Sequence, residues 1–221
     1  MAKKIFLSPS NQKNNKYAYG NTTEAIQCGR IASALKTALK RCGFKVRLLH
    51  YYDMPTKVHN ADTWGADLYI PIHTNAYNGK VTGTRIFSYD TTGKGYKAAK
   101  AVYKYIAPLT PGTSENIKAN SELYEVKYPA APTVYCEVEF HDVYSAAKWI
   151  IENTEAIAEA ICMGVCDYFG VSYKVPTNKT ADKTKMFKVQ VGAFKERRNA
   201  EAMLQSLKAA GFNGYIKEET T

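Results

Sequence analysis

The chain has 221 residues, enough to bury the core of one medium domain with a short module beside it. Its 45% hydrophobic and 23% charged content is that of an ordinary globular protein, and no apolar run approaches the ~18–20 residues of a membrane-spanning helix. The net charge of +10 points to an acidic partner, and residues 173–221 hold ten Lys/Arg against five Asp/Glu. No nucleic-acid motif accompanies that charge, so a nucleic-acid binder would rest on charge alone.

The N-terminal Met-Ala-Lys-Lys carries too short an apolar run for a signal peptide, so synthesis in the cytoplasm is expected. Lys4 to Leu7 reads as a first strand, broken by Ser8-Pro9-Ser10 and followed by a polar loop, Asn11 to Asn21, that holds Tyr17 and Tyr19. Thr22-Thr23-Glu24 opens a helix whose apolar positions Ile26, Ile31, Ala34, Leu35 and Leu39 keep helical spacing, and Gly43 ends it. Phe44 to Leu49 is a second strand, and a short helical piece spans about Lys57 to Trp64. The run Leu68 to Ile72 is apolar and β-rich, and it ends in His73-Thr74-Asn75 before the turn at Asn78-Gly79. Gly83 to Tyr89 is a further strand, Tyr96 to Ile106 a helix stopped by Pro108 and Pro111, and Asn120 to Val126 a strand or connecting loop. Thr133 to Phe140 is an acidic strand, and Ser145 to Phe169 one long helix closed by Gly170. Strands alternating with helices predict an α/β fold, a largely parallel twisted sheet with helices on both faces.

Three segments follow from composition. Residues 1–172 form the main domain, residues 173–184 are polar and aperiodic and read as a linker, and residues 185–221 form a small β-α-β module. In that module Met186 to Gly192 alternates like a strand, Asn199 to Ala210 is an amphipathic helix, and Phe212 to Lys217 is a second strand. A unit of this size has too little apolar surface to stand alone. The five cysteines (28, 42, 136, 162, 166) show no disulfide spacing. Cys162 and Cys166 share a helical face, and with no second pair to complete a tetrahedral site they read as reduced core thiols.

Two strands deliver ionisable groups to one sheet edge, where open α/β sheets place their ligands. His73 stands at the end of a buried strand, followed by Asn75. Glu137 and Glu139 lie two apart on another strand and share a face, and by the same alternation His141 falls on their side. If that strand is buried on both sides, at least one of its carboxylates needs a cation. Glu24 is a further candidate carboxylate, although a glutamate at a helix start is also explained by the macrodipole. Asp142 suits an N-cap, and His50 and His59 read as structural. Loop tyrosines 17, 19, 51, 52 and 77 suit sugar or peptide contact and ordinary packing equally. At this level the residues reach a metal-assisted hydrolase and no substrate.

Several segments together resemble the zinc-dependent N-acetylmuramoyl-L-alanine amidases of the type 3 family, found in autolysins and phage endolysins. Ala66 to Ala76 is similar to that family's AD-(apolar)-SIHANA segment, Gly83 to Phe87 to the strand after it, and Pro132 to Phe140 to its late segment with the catalytic glutamate. The resemblance covers roughly residues 4–170 and implies Zn2+ held by Glu24 and His73, with Glu137 as general base. The family's D-P-G-H-G-G loop is here Ser8-Pro9-Ser10-Asn11-Gln12, without its histidine. His141 is therefore expected as the third ligand, with Gln12 or Asn11 as alternatives, and Asn75, Gln12 and Asn11 as substrate contacts. Phe187 to Phe212 resembles the start of a SPOR repeat, a module that binds glycan strands, with half of the usual tandem in view. The implied partner is bacterial peptidoglycan, with anionic wall polymers attracted by the basic tail. The implied reaction is cleavage of the amide between N-acetylmuramic acid and L-alanine, reached after release by lysis. A non-catalytic wall-binding protein that kept the fold and lost the metal is the alternative.

Overall fold

The computed structural model describes residues 2–112, 116–176, 190–212 and 214–218. They fall into two compact units, Met1–Pro176 and Thr177–Thr221. The first is built on a six-stranded sheet in the order β2-β1-β3-β6-β4-β5. Its strands are β1 (Lys4–Pro9), β2 (Lys45–Leu48), β3 (Leu68–Asn75), β4 (Arg85–Ser88), β5 (Asn116–Ala119) and β6 (Tyr135–Phe140). The ladders β1–β2, β1–β3, β3–β6 and β4–β5 are parallel, and β4 runs antiparallel to β6. The expected largely parallel sheet is the one observed.

The helices are α1 (Glu24–Arg41), α2 (Met54–Trp64), α3 (Lys94–Ile106), α4 (Tyr124–Lys127), α5 (Tyr144–Glu152) and α6 (Thr154–Phe169). Alternation along β3 splits the core. Leu68, Ile70 and Ile72 join Ile31 and Leu35 of α1, Val102 of α3 and Ile161 of α6 in the main cluster. Tyr69 faces the other way and packs with Phe6, Val58 and Ala61 under α2, its ring stacked on Phe6 at 5.4 Å. Gly164 lets α6 lie against α3, since a Cβ there would stand 2.3 Å from the Val102 Cα.

Several boundaries differ from expectation for local reasons. Helix α2 starts at Met54, earlier than expected, because the Asp53 carboxylate caps it by accepting the Thr56 N–H at 2.7 Å. The stretch read as a strand or connecting loop at 120–126 is a connecting loop up to residue 123, and its last three residues belong to the one-turn α4. The long helix at 145–169 is two helices, separated at Asn153, whose side chain bonds back to the Trp149 carbonyl at 2.8 Å. In the second unit α7 (Arg197–Ala209) forms, as expected. The expected strand at 186–192 and linker at 173–184 lie largely outside the described residues, and no described residue from 190 to 218 is in a strand.

Candidate active site

The C-terminal end of the central strands carries the chemistry. Ser8 and His73 stand near the C-terminal ends of β1 and β3, and β6 places Glu137 directly beside His73 in the ladder. Glu24, the first residue of α1, reaches the same edge from the helix N-terminus, where the macrodipole favours a carboxylate. Its Oε1 lies 2.8 Å from the His73 Nδ1, and both residues are buried. The other Glu24 oxygen accepts the Asn15 amide N–H at 2.7 Å, and the same Asn15 nitrogen donates to Gln12 Oε1 at 2.7 Å. Asn15 therefore ties Gln12 to Glu24.

On its far side the His73 ring faces Glu125, a buried residue of α4 that sequence reasoning passed over. Nε2 stands 3.8 Å from Glu125 Oε2, too far for a hydrogen bond, and has no other partner among the described residues. Glu125 Oε1 accepts from the Ser8 and Tyr69 hydroxyls, the latter at 2.6 Å. Lys57, also buried, donates to the Pro9 carbonyl at 2.7 Å and lends Glu125 a neighbouring positive charge. The one available signal for this group was a glutamate inside the otherwise apolar Leu123-Tyr124-Glu125-Val126. Tyr135, two residues before Glu137 on the same face of β6, stacks on the His73 ring at 4.7 Å.

These neighbours set the protonation states. Burial works against an imidazolium at His73, but the facing Glu125 and Glu24 carboxylates outweigh it and lift its pKa to about 9. Burial alone would raise Glu24 and Glu125. The His73 imidazole beside each, with Asn15 at Glu24 and the Lys57 charge at Glu125, instead holds both below the usual carboxylate range. Glu137 is the exception. Burial and the nearby Glu24 raise it to about 7, against the pull of His73 and Arg85. Its Oε2 is shielded and has no hydrogen-bond partner among the described residues, while the residue keeps partial solvent access.

The other expected site residues are placed differently. His141 is not brought to Glu24 and His73. Its Nδ1 lies 3.0 Å from both the hydroxyl and the carbonyl oxygen of Thr74, and its ring stacks on Tyr17 at 5.2 Å. The cause is a register shift: His73 pairs with Glu137, but Asn75 pairs with Phe140 rather than Glu139. That extra residue reverses the alternation, so His141 meets Thr74 on the face opposite His73. Glu139 sits in the irregularity and accepts the Gly83 N–H at 2.5 Å. Asn11 turns away to donate to the Tyr52 carbonyl at 2.9 Å, and Asn75 Oδ1 accepts the Ala76 N–H at 2.9 Å. Asp142, read as an N-cap, instead accepts the N–H groups of Tyr77 and Gly79 at 2.9 and 2.8 Å.

As a metal centre the donor set is specific. Two ligands on one zinc ion stand about 3.3 Å apart at Zn–N and Zn–O lengths of about 2.0–2.1 Å. Glu24 Oε1 and His73 Nδ1 are 2.8 Å apart, so opening by about half an ångström seats both on an ion. Glu125 stands where the outer carboxylate of a metal-bound imidazole belongs. Gln12 Oε1, bound by the same Asn15 nitrogen as Glu24, is a further oxygen donor beside the pair.

Comparison with known proteins decides the family. The family model described as N-acetylmuramoyl-L-alanine amidase matches residues 5–167. The chain belongs to this amidase family. A second model, the SPOR domain, matches residues 172–221. Among relatives of this amidase chain is the sporulation-specific N-acetylmuramoyl-L-alanine amidase of Bacillus subtilis (strain 168), 24% identical over 96% of the chain and 84% of that protein. The N-acetylmuramoyl-L-alanine amidase CwlM of Bacillus licheniformis matches with the same identity and coverage. The catalytic domain of CwlV from Bacillus (Paenibacillus) polymyxa var. colistinus shares the fold, with a TM-score of 0.69 at 16% identity over 77% of this chain and 99% of that one.

Proposed function

We propose that this chain hydrolyses the amide between N-acetylmuramic acid and L-alanine in bacterial peptidoglycan, with Glu24 and His73 holding Zn2+ and Glu137 as general base. Gln12 Oε1, held beside Glu24 by Asn15, is the third donor in place of His141. When bound, zinc supplies a Lewis acid and a water that loses its proton near neutral pH. The Glu125 carboxylate, facing Nε2 at 3.8 Å, favours a proton on that nitrogen, which leaves Nδ1 as the donor to the metal. Because His73 is protonated at neutral pH without metal, loading displaces that proton.

Glu137 carries the reading. A carboxylate with a pKa of about 7, one buried oxygen without a partner and access to water is matched to taking a proton from water and returning it to the leaving amine. Glu137→Gln tests it. The variant should keep its zinc stoichiometry and lose about 10²–10⁴-fold in kcat. Full activity in a folded Glu137→Gln protein would remove the general base from the account.

The SPOR match supports peptidoglycan binding by the C-terminal unit, which would hold the amidase near its substrate through effective concentration. The non-catalytic alternative draws on one observation: Glu24 and His73 already satisfy each other as an ion pair, with no histidine in the 8–12 loop. A protein that pellets with walls and takes up no zinc at the Glu24–His73 pair would establish it.

A further inference from the structure

The two ends of α1 carry different chemistry. Glu24 opens the helix at the candidate active site, and Cys42 caps its other end, 18 residues and about 27 Å away at 1.5 Å per residue. Against Cys42 pack Cys162 and Cys166, one turn apart on the face of α6 that meets α1. Their three sulfur atoms lie within 4.8 Å of one another, the single such group of His, Cys, Asp or Glu donors among the described residues. We propose that Cys42, Cys162 and Cys166 form a three-thiolate site for a thiophilic d10 cation, Zn2+ or Cu+, separate from the amidase centre.

The spacing is that of ligands rather than of a disulfide. At a metal–sulfur length of about 2.3 Å, tetrahedral geometry separates two sulfurs by about 3.8 Å. The Cys42 and Cys162 sulfurs are 3.7 Å apart, against about 2.05 Å in a disulfide. A backbone donor faces the site. The Lys174 backbone N–H donates to the Cys42 sulfur at 3.4 Å, a second-sphere bond of the kind that stabilises bound thiolate. Arg41 donates to the Lys174 carbonyl at 2.8 Å and to Glu159 at 2.5 Å, and the Tyr173 hydroxyl donates to Glu159 at 2.7 Å. The cation would therefore sit under the Tyr173–Lys174 segment and fasten it to the ends of α1 and α6. Binding releases the thiol protons to solvent and changes no oxidation state. Soft thiolates select d10 cations over the hard ions that carboxylates prefer.

The test is titration of the reduced, metal-free full chain with Cd2+ under anaerobic conditions, reading the sulfur-to-cadmium charge-transfer absorbance. The account expects a band that saturates at one equivalent with the intensity of three thiolates. The band should survive in Glu24→Gln and Cys28→Ser. It should lose about a third of its intensity, with affinity lowered at least tenfold, in Cys42→Ser and Cys166→Ser. Should Cys42→Ser fail to fold by circular dichroism, Cys166→Ser carries the comparison. No band at stoichiometric Cd2+, or a band abolished by Cys28→Ser, overturns the proposal.

Discussion

Replacing Glu137 with Gln should remove a pH dependence of stability that the site builds into the metal-free protein. The carboxyl is lifted from an ordinary 4.5 to about 7 in the folded state, chiefly by burial, so folding favours its neutral form. A group raised in this way contributes its full stability below pH 4.5 and loses it as pH rises through about 7. At about 1.4 kcal/mol per pKa unit the loss is ~3 kcal/mol, and partial solvent access to the residue reduces it to about 2–3 kcal/mol. Glutamine is nearly isosteric and cannot ionise, so the difference in unfolding free energy between wild type and Glu137→Gln isolates this one group. Urea denaturation of both metal-free proteins, at steps from pH 4 to pH 8, measures it. The difference should move in favour of the variant by about 2–3 kcal/mol across that range, with most of the change between pH 4.5 and 7. A difference that stays flat, or moves toward wild type as pH rises, refutes the placement of Glu137 in a desolvated, anion-rich pocket.

Glu125→Gln removes the charge behind His73 while keeping its shape, and zinc affinity measured by competition with a chelator should fall about 10–100-fold; an unchanged affinity would separate Glu125 from the metal centre. His141→Ala should leave zinc stoichiometry untouched and cost about 1–3 kcal/mol in chemical denaturation through the Thr74 bonds and the Tyr17 stack. A lost equivalent of zinc in that variant would return His141 to the ligand set. Gly164→Ala drives a Cβ into the α3 backbone at Val102 and should lower stability by about 1–3 kcal/mol, or a melting temperature drop of several degrees. A melting temperature equal to wild type would mean that α3 and α6 are less closely packed than described.

The fold was legible because its signals are local. Leu68 to Ile72 is short, apolar and β-rich, and the helices around it keep their spacing to capping glycines such as Gly170, which does take the left-handed conformation at φ 64°. His73 and Glu137 were legible as ionisable groups on short apolar strands, while Glu24, equally explained by the helix start, was singled out by the family resemblance. His141 was misjudged because alternation was carried through a point where the ladder gains a residue. Nothing in Glu137-Val138-Glu139-Phe140-His141 announces an irregularity that is set by the pairing with β3. Glu125 was missed because its burial comes from α4 folding under β3, a contact made by Tyr69 and Ser8 from distant parts of the chain. The thiol group was hidden likewise. Cys162 and Cys166 declare a shared face, but the third sulfur arrives from a helix end 120 residues earlier.

The central claim is zinc-dependent cleavage at the muramoyl–alanine amide, and digestion of purified peptidoglycan tests it most directly. Metal-stripped and zinc-restored samples of the full chain are compared for newly exposed N-terminal alanine and for new reducing sugar ends. The account predicts alanine amines only in the zinc-restored sample and no increase in reducing ends in either. Reducing ends would indicate a glycosidase, alanine release without zinc would remove the metal from the mechanism, and no release in either sample would contradict the enzymatic reading.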